Sequence, residues 1–186
     1  MDINGLFATE VTRLSKRKLF VPEFITENIF DITPERLAKR GYRAVIFDVD
    51  NTVVEDGLAH PDERTIEYFR TLNDRGIKAA LVSNNNRTRM EIFNKNLGVF
   101  AVHDAQKPSP KGVHKCIKAF GTPAESVLFV GDQIFTDCLA AHRAGIDCCL
   151  VRPIKAESST FFKLKRFLEK PFLKTFFKSA KSRRCD

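Results

Sequence analysis

A chain of 186 residues is long enough for one domain with a substantial core, and its composition excludes several classes of protein. The five cysteines are odd in number and lack metal-ligand spacing, which argues against a disulfide scaffold or a zinc module, and no apolar stretch is long enough to span a bilayer. No secretory segment is recognisable, so we expect a reduced, cytoplasmic protein.

The net charge of +8 comes from one end of the chain. Residues 151–186 contain eleven Lys and Arg against three Asp and Glu, so residues 1–150 are neutral overall. We predict three parts: an N-terminal extension (1–18), one folded domain (19–156) and a basic tail (157–186). The tail, and not the domain, is expected to attract an anionic partner.

The predicted domain alternates strands with helices. An apolar lead-in (19–30) and a short helix (33–40) precede five strands, which we place at 44–47, 77–82, 99–102, 127–130 and 148–151. Helices are predicted between them, at 61–76, 86–96, 109–120 and 134–144, and most end at a glycine. This alternation predicts an α/β fold of three layers, with a parallel sheet of about five strands between two layers of helices.

Two aspartates, Asp48 and Asp50, follow directly after the first of these strands. Carboxylates one residue apart at the end of a buried strand repel each other and are costly to remove from water, so a positive partner is expected. Mg²⁺ is suitable, because it binds carboxylate oxygens and is usually shared with a substrate phosphate. Ser83 and Asp132 also fall at strand ends, where parallel sheets bind ligands.

Four segments in this order resemble the four motifs of the haloacid dehalogenase (HAD) superfamily. They are Asp48-Val49-Asp50-Asn51-Thr52, Ser83-Asn84, Lys107-Pro108 before a helix, and Gly131-Asp132 through Asp137. Each pattern alone is weak, but all four at strand or loop ends favour the family over ordinary strand-end turns. The resemblance implies a three-layer, Rossmann-like HAD fold.

The resemblance also implies a reaction. Asp48 would be the nucleophile that forms an aspartyl phosphate, Asp50 the general acid and base, and Thr52 the residue that orients Asp50. An acid at position 50 favours a phosphatase, because the dehalogenases and ion-pumping ATPases of the superfamily lack it.

The remaining matched residues would hold the metal and the substrate. The implied ligands of Mg²⁺ are Asp48, Asp132 and the backbone carbonyl of Asp50, and those of the substrate phosphate are Ser83, Asn84 and Lys107. Asp137 would hold Lys107 or a metal-bound water, unless it is an exposed acid at a helix N-terminus. Lys111, inside the predicted helix, is a less suitable lysine than Lys107.

Other polar residues stay open at this point. Arg87 and Arg89 could contact a second substrate phosphate or could lie on a solvated helix face. The four histidines occupy unconnected positions, and we expect surface or capping roles for them: His60, His103, His114 and His142.

The gaps between the motifs leave no room for a cap domain. Residues 53–61 are a short loop, and one helix with one strand uses residues 84–106. The site is therefore expected to be open. An open site suits a substrate whose bulk stays outside, such as a protein, a nucleic-acid end or a membrane lipid, or a neighbouring subunit that acts as a lid.

The tail has an amphipathic pattern, which Pro171 is expected to divide into two short helices. A helix with one apolar face and one basic face is typical of segments that bind an anionic membrane surface. Alternatively, the apolar face packs on the domain or on a second subunit. On a helical wheel the apolar face is Phe161, Leu164, Leu168, Phe172 and Phe176, and the opposite face is Lys163, Lys170, Lys174 and Lys178.

The lead-in and the four motifs together, from Leu19 to Pro153, are similar to the capless subfamily IIIA that contains phosphatidylglycerophosphate phosphatases. This similarity implies a peripheral protein at the inner face of the membrane that converts phosphatidylglycerophosphate into phosphatidylglycerol. The alternatives are a HAD phosphatase for nucleic-acid ends, phosphoproteins or small phosphometabolites, and a catalytically idle binding protein. Nucleic acid is the less favoured partner, since base stacking needs no segregated apolar face. The oligomeric state is open, and a homo-oligomer is one option.

Overall fold

The structure is a computed structural model that describes residues 19–155, so the predicted N-terminal extension and basic tail lie outside the described residues. The described chain forms one parallel six-stranded sheet in the order β1-β6-β5-β2-β3-β4. The strands are β1 (Phe24–Thr26), β2 (Ala44–Phe47), β3 (Lys78–Val82), β4 (Phe100–Val102), β5 (Val127–Gly131) and β6 (Asp147–Val151). The helices are α1 (Pro34–Lys39), α2 (Glu63–Asp74), α3 (Arg87–Asn94), α4 (Lys111–Phe120) and α5 (Leu139–Arg143).

Helices cover both faces of the sheet, which confirms the predicted three-layer α/β fold. Alternate residues of the central strand β2 face opposite layers, so Phe47 packs with α1, α2 and α3, whereas Ile46 packs with α4 and α5. The core on the Phe47 side of the sheet is rich in aromatic rings, and the core on the Ile46 side is rich in small side chains. Members of the first are Tyr68, Phe69 and Phe93, and members of the second are Cys116, Ala140 and Ala141.

The sheet has one strand more than the five that the sequence indicated. β1 lies within the apolar lead-in and pairs in parallel with β6, with Phe24 opposite Cys149. Three residues are too few to display an alternating pattern, and the partner strand comes much later in the chain. This edge strand is therefore defined by its pairing with β6 and could not be predicted from the local sequence.

The helix predicted at 134–144 is divided into two kinds of helix. Ile134–Cys138 form a π-helical turn, in which the N–H of Cys138 donates to the carbonyl of Gln133 at 3.2 Å, and α5 follows. Hydrophobic periodicity does not distinguish a single wide turn from a regular one. The wider turn contains Asp137 and buries it, as π-turns at functional sites often do.

His142 on α5 is buried, so the surface or capping role expected for it is wrong. Its Nε2 lies 3.0 Å from Oε2 of Glu23, and its Nδ1 lies 2.9 Å from the carbonyl oxygen of Leu19. Burial alone would lower the pKa of His142, but its contacts with Cys138 and Glu23 raise that pKa to about 10. The buried ion pair ties the lead-in to α5. Of the other histidines, His60 and His114 are exposed, and His103 pairs with Asp104.

The described chain has no cap domain. Residues 53–61 form a short loop, and only α3 and β4 occupy residues 84–106. None of the helices in residues 19–155 has the length and apolar character needed to cross a bilayer.

Candidate active site

The site lies where the strand order reverses. β2 continues to β3 and β4 on one side, and the chain then returns to β5 on the other side of β2. Phe47 pairs with Leu81 of β3 and with Val130 of β5, so the carboxyl ends of these strands lie nearly level. Ligands of open α/β sheets bind at such a point. A cleft of about 330 Å³ opens there, and its lining includes Asp48 and Ser83.

The turn after β2 returns the chain to the strand end. Asn51 has a left-handed φ of 60°, which asparagine tolerates better than most residues. This turn places Oγ1 of Thr52 3.3 Å from Oδ2 of Asp48 and 3.5 Å from Oδ1 of Asp132. The described hydrogen bonds of the Thr52 hydroxyl therefore go to Asp48 and Asp132, and the role in orienting Asp50 that the resemblance implied stays a prediction.

Three carboxylates and one ammonium form the buried centre of the site. Asp48, Asp132 and Asp137 each offer an oxygen within 4.8 Å of the others, and all three are buried. The Nζ of Lys107 contacts Oδ1 of Asp48 and lies 2.8 Å from Oδ1 of Asp137. Asp137 is therefore not an exposed helix N-terminal acid, and it holds Lys107 as predicted.

Burial and charge act against each other within this centre. Burial raises the pKa of the Asp48 carboxyl, and the ammonium of Lys107 opposes that rise. Burial alone would lower the pKa of Lys107, but the carboxylates of Asp137 and Asp48 raise it above its usual value. Lys107 is therefore a permanent cation, and it contributes one positive charge to a centre of three acids.

These residues fit a divalent metal. The two oxygens of Asp48 have different neighbours, since Oδ1 faces Lys107 while Oδ2 accepts the hydroxyl of Thr52, which also contacts Asp132. A cation bound by Asp48 and Asp132 would have hard carboxylate donors, and the Oδ2 atom of Asp48 is the one that Lys107 does not occupy. A buried acidic cluster of this kind favours an additional positive charge, because burial penalises unpaired carboxylates.

Asp137 reaches the centre because residue 131 is a glycine. A Cβ atom at Gly131 would lie 2.5 Å from Cβ and 2.6 Å from Cγ of Asp137. With that space free, Asp137 accepts the N–H of Gln133 at 3.0 Å on Oδ2 and holds Lys107 with Oδ1. The glycine that precedes Asp132 is therefore part of the site.

The Gly131→Ala substitution is expected to displace Asp137. The free energy of unfolding should fall by about 1 to 3 kcal/mol, as for other overpacked interiors. Turnover should fall about 100-fold, because Lys107 loses its second carboxylate and shifts. Urea unfolding and steady-state phosphate release measure the two effects.

Gly112→Ala is the matched control. Its new methyl would lie 3.1 Å from Cβ of Ala105 and 3.2 Å from Cγ1 of Val82, so it also crowds the interior but meets none of the three acids. It should leave the turnover of the folded fraction within about threefold of the native value. Native turnover in Gly131→Ala would contradict the role given to this glycine.

Three consecutive asparagines after β3 have different contacts. The side chain of Asn84 accepts the backbone N–H of Lys107 at 2.7 Å and donates to its carbonyl at 3.3 Å, so it fixes the loop that presents the ammonium. Asn85 donates through Nδ2 to Oδ2 of Asp50. Asn86 begins α3, because its Oδ1 accepts the N–H of Arg89 at 3.0 Å.

Asp50 has partners that sequence reasoning missed. Besides Asn85, the guanidinium of Arg89 contacts Oδ1 of Asp50 and lies 3.2 Å from the carbonyl oxygen of Leu58. Arg87 instead lies on the solvated face of α3, where it pairs with Glu91 at 2.9 Å. The predicted helix at 86–96 placed Arg89 near Ser83 but did not fix the direction of its side chain.

The end of the described chain also reaches the site. After β6, the N–H of Ile154 donates to the carbonyl of Asn51 at 3.0 Å, and the Nζ of Lys155 pairs with Glu55. The last described residues therefore lie beside the turn that contains Asp50.

All the predicted site residues meet at one cleft. Six line it, while Thr52 and Asp132 lie buried in contact with Asp48, and Lys111 is exposed on α4. The six lining residues are Asp48, Asp50, Ser83, Asn84, Lys107 and Asp137. Additional lining residues are Asn51, Asp56, Asn85, Gln133 and Thr136.

Comparison with known proteins identifies the class to which this fold and site belong. The family model for haloacid dehalogenase-like hydrolases matches residues 57–145. Over 157 residues the chain is 34% identical to the "Probable phosphatase YqeG" of Bacillus subtilis, a match that covers 84% of this chain and 91% of that protein. The chain belongs to the haloacid dehalogenase-like hydrolase family.

More distant relatives agree with this assignment. The chain is 23% identical to "Phosphatidylglycerophosphate phosphatase 1, chloroplastic/mitochondrial" of Arabidopsis thaliana, and this match covers 96% of the chain and 54% of that protein. A crystal structure of a HAD family hydrolase from Deinococcus radiodurans R1, with bound phosphate and sodium, shares the fold at a TM-score of 0.52 and 15% identity, over 68% of this chain and 88% of that one. The prediction of a HAD-type phosphatase agrees with the family and with the names of the Bacillus subtilis and Arabidopsis thaliana relatives.

Proposed function

We propose that this protein is a Mg²⁺-dependent phosphomonoester hydrolase in which Asp48 forms an aspartyl-phosphate intermediate. The observation that supports this most is the environment of Asp48 at the cleft, with Lys107 on one oxygen, Thr52 on the other, and Asp132 in the same buried cluster. A carboxylate fixed in this way is oriented for in-line attack on phosphorus, and it is already partly compensated by a cation.

The transferring phosphoryl group would be bound by Lys107, the hydroxyl of Ser83 and the backbone N–H of Asn84. All three residues line the cleft, and the Ser83 hydroxyl already accepts the N–H of Asn85 at 3.0 Å. These donors offset the repulsion between a phosphate dianion and the neighbouring carboxylates.

Asp50 is the proposed acid and base. It would donate a proton to the leaving alkoxide as Asp48 displaces it, and its carboxylate would then take a proton from the water that attacks the aspartyl phosphate. Attack by water at phosphorus releases inorganic phosphate and restores Asp48. Asp50 suits both steps because it lines the cleft and its side chain remains 21% exposed.

Mg²⁺ is the proposed metal, held by the carboxylates of Asp48 and Asp132 and by the backbone carbonyl of Asp50. These hard oxygen donors match its preference, and the open cleft leaves room for water and a substrate oxygen. When bound, it would supply positive charge at the phosphoryl oxygens.

We further propose that the substrate is the terminal phosphate of phosphatidylglycerophosphate, met at an anionic membrane surface. The uncapped cleft suits a substrate whose bulk stays outside it. The similarity to the Arabidopsis thaliana protein of that name supports this substrate. The basic, amphipathic pattern predicted for residues 157–186 supports peripheral binding at the inner face of the membrane.

Removal of metal should abolish activity reversibly. We expect excess EDTA to reduce phosphate release to background and Mg²⁺ to restore it, because the buried carboxylates would otherwise repel the substrate.

Activity should be measured on phosphatidylglycerophosphate in mixed micelles, glycerol 3-phosphate and a 5′-phosphorylated oligonucleotide. The lipid should be the best substrate by at least about tenfold in kcat/KM.

Other outcomes of the same panel would change the proposal. A preference for the oligonucleotide would replace the lipid as substrate and leave the chemistry intact. Full activity in EDTA, or no turnover of any phosphomonoester with Mg²⁺, would contradict the proposed mechanism itself.

A further inference from the structure

Arg89 is a cation at the rim of the cleft, beside the side chain that would protonate the leaving group. Its guanidinium contacts Asp50 and the carbonyl oxygen of Leu58, and its side chain is 21% exposed. It therefore lies next to the position from which the alcohol part of a substrate departs, and it remains accessible to solvent.

The rest of the cleft repels a second negative group on the substrate. Four carboxylates line it, whereas Lys107 is the one cation among the lining residues of the described chain, and Asp48 and Asp137 already share that ammonium. An anion on the alcohol part of the substrate would need another positive partner. Arg89 is placed to be that partner.

The guanidinium of Arg89 has the donors for such a contact. Its described hydrogen bonds use two of its five N–H groups, one to Asp50 and one to Leu58. A planar fork of this kind can hold a carboxylate and a phosphate together, and it binds phosphate in a bidentate manner. Arg87 has the same charge two residues earlier, but its side chain is 71% exposed and pairs with Glu91.

We propose that Arg89 binds a second phosphate of the substrate, so that the enzyme prefers phosphomonoesters whose alcohol carries another phosphate group close to the leaving oxygen. The leaving oxygen would lie about 3 Å from Asp50, and Arg89 contacts the same carboxylate, so the phosphorus of the second phosphate would lie about five bonds from the leaving oxygen. This inference rests on the proposed function. A soluble bisphosphate and the head group of a phospholipid with a terminal phosphomonoester share this chemistry.

The experiment compares three substrates in the full-length protein with Mg²⁺: glycerol 3-phosphate, glycerol 1,3-bisphosphate, and phosphatidylglycerophosphate in mixed micelles. Arg89→Gln should lower kcat/KM by about 30-fold on the two substrates with a second phosphate, mainly through KM, because a hydrogen bond to a charged group is lost. On glycerol 3-phosphate the decrease should be about threefold, through the contact with Asp50 alone. Arg89→Lys should recover part of the loss, since it keeps the charge without the fork.

Arg87→Gln is the matched control and should leave all three kcat/KM values within about twofold of native. A loss confined to the bisphosphate or to the lipid supports the proposal and identifies the source of the second phosphate. Equal losses on all three substrates would overturn it and leave Arg89 as a positioning residue for Asp50. If native protein hydrolyses none of the three, the proposed function fails, which is distinct from failure of this inference.

Discussion

The Asp48→Asn variant is expected to release phosphate at least about 10⁴-fold more slowly than the native protein. The amide has the size of the carboxylate but cannot form the acyl phosphate, and the other residues of the cleft cannot replace the missing nucleophile. The fold should persist, because the substitution is nearly isosteric and Lys107 keeps its contact with Asp137 at 2.8 Å. Phosphate release at saturating substrate, with melting curves for both proteins, measures the effect.

A labelling experiment makes this prediction specific. Radiolabelled substrate, quenched in acid, should leave label on the native protein and none on Asp48→Asn. Asp104→Asn is the control, since Asp104 is exposed, has a left-handed φ of 46° that asparagine accepts, and makes no described contact with the acidic centre. Retained label in Asp48→Asn would show that another residue is the nucleophile.

The Lys107→Met variant should lose stability as well as activity. Its side chain is 4% exposed and its ammonium is shared by Asp48 and Asp137, so methionine would leave two buried carboxylates near each other. Removing one partner of a buried ion pair typically lowers the free energy of unfolding by about 3 to 5 kcal/mol. Urea unfolding without added metal, together with phosphate release, tests both effects.

Two further variants isolate the cause. Lys111→Met, on the exposed side of α4, should change the free energy of unfolding by no more than about 0.5 kcal/mol. Adding Asp137→Asn to Lys107→Met should restore part of the stability, because one uncompensated charge disappears, without restoring turnover. Equal stability of Lys107→Met and Lys111→Met would show that the buried ammonium does not hold this centre together.

The residues at strand ends could be located from the sequence, because the parallel strands of one sheet end at a common edge. Asp48, Ser83 and Asp132 each follow a short apolar run, and the register of β2 with β3 and β5 brings them together. Lys107 could be placed only through its family motif, since its position depends on a loop that Asn84 fixes.

Contacts that depend on side-chain direction could not be predicted in this way. Arg87 and Arg89 have the same charge on the same helical turn, and only the packing of α3 decides that Arg89 meets Asp50. Thr52 returns to Asp48 because of a left-handed residue in the turn, and His142 is buried because the distant Glu23 reaches it. In each case the contact joins residues that are distant in sequence or depends on the direction that a turn gives to a side chain. A local sequence pattern predicts neither kind of contact.

The position of the last described residues, beside the turn after β2, has a kinetic consequence. Whatever residues 157–186 bind would be joined through the chain to the cleft, because the last described contacts join Ile154 and Lys155 to that turn. Turnover of a tethered substrate would then depend on its effective local concentration and on the length of the linker, rather than on its concentration in bulk solution.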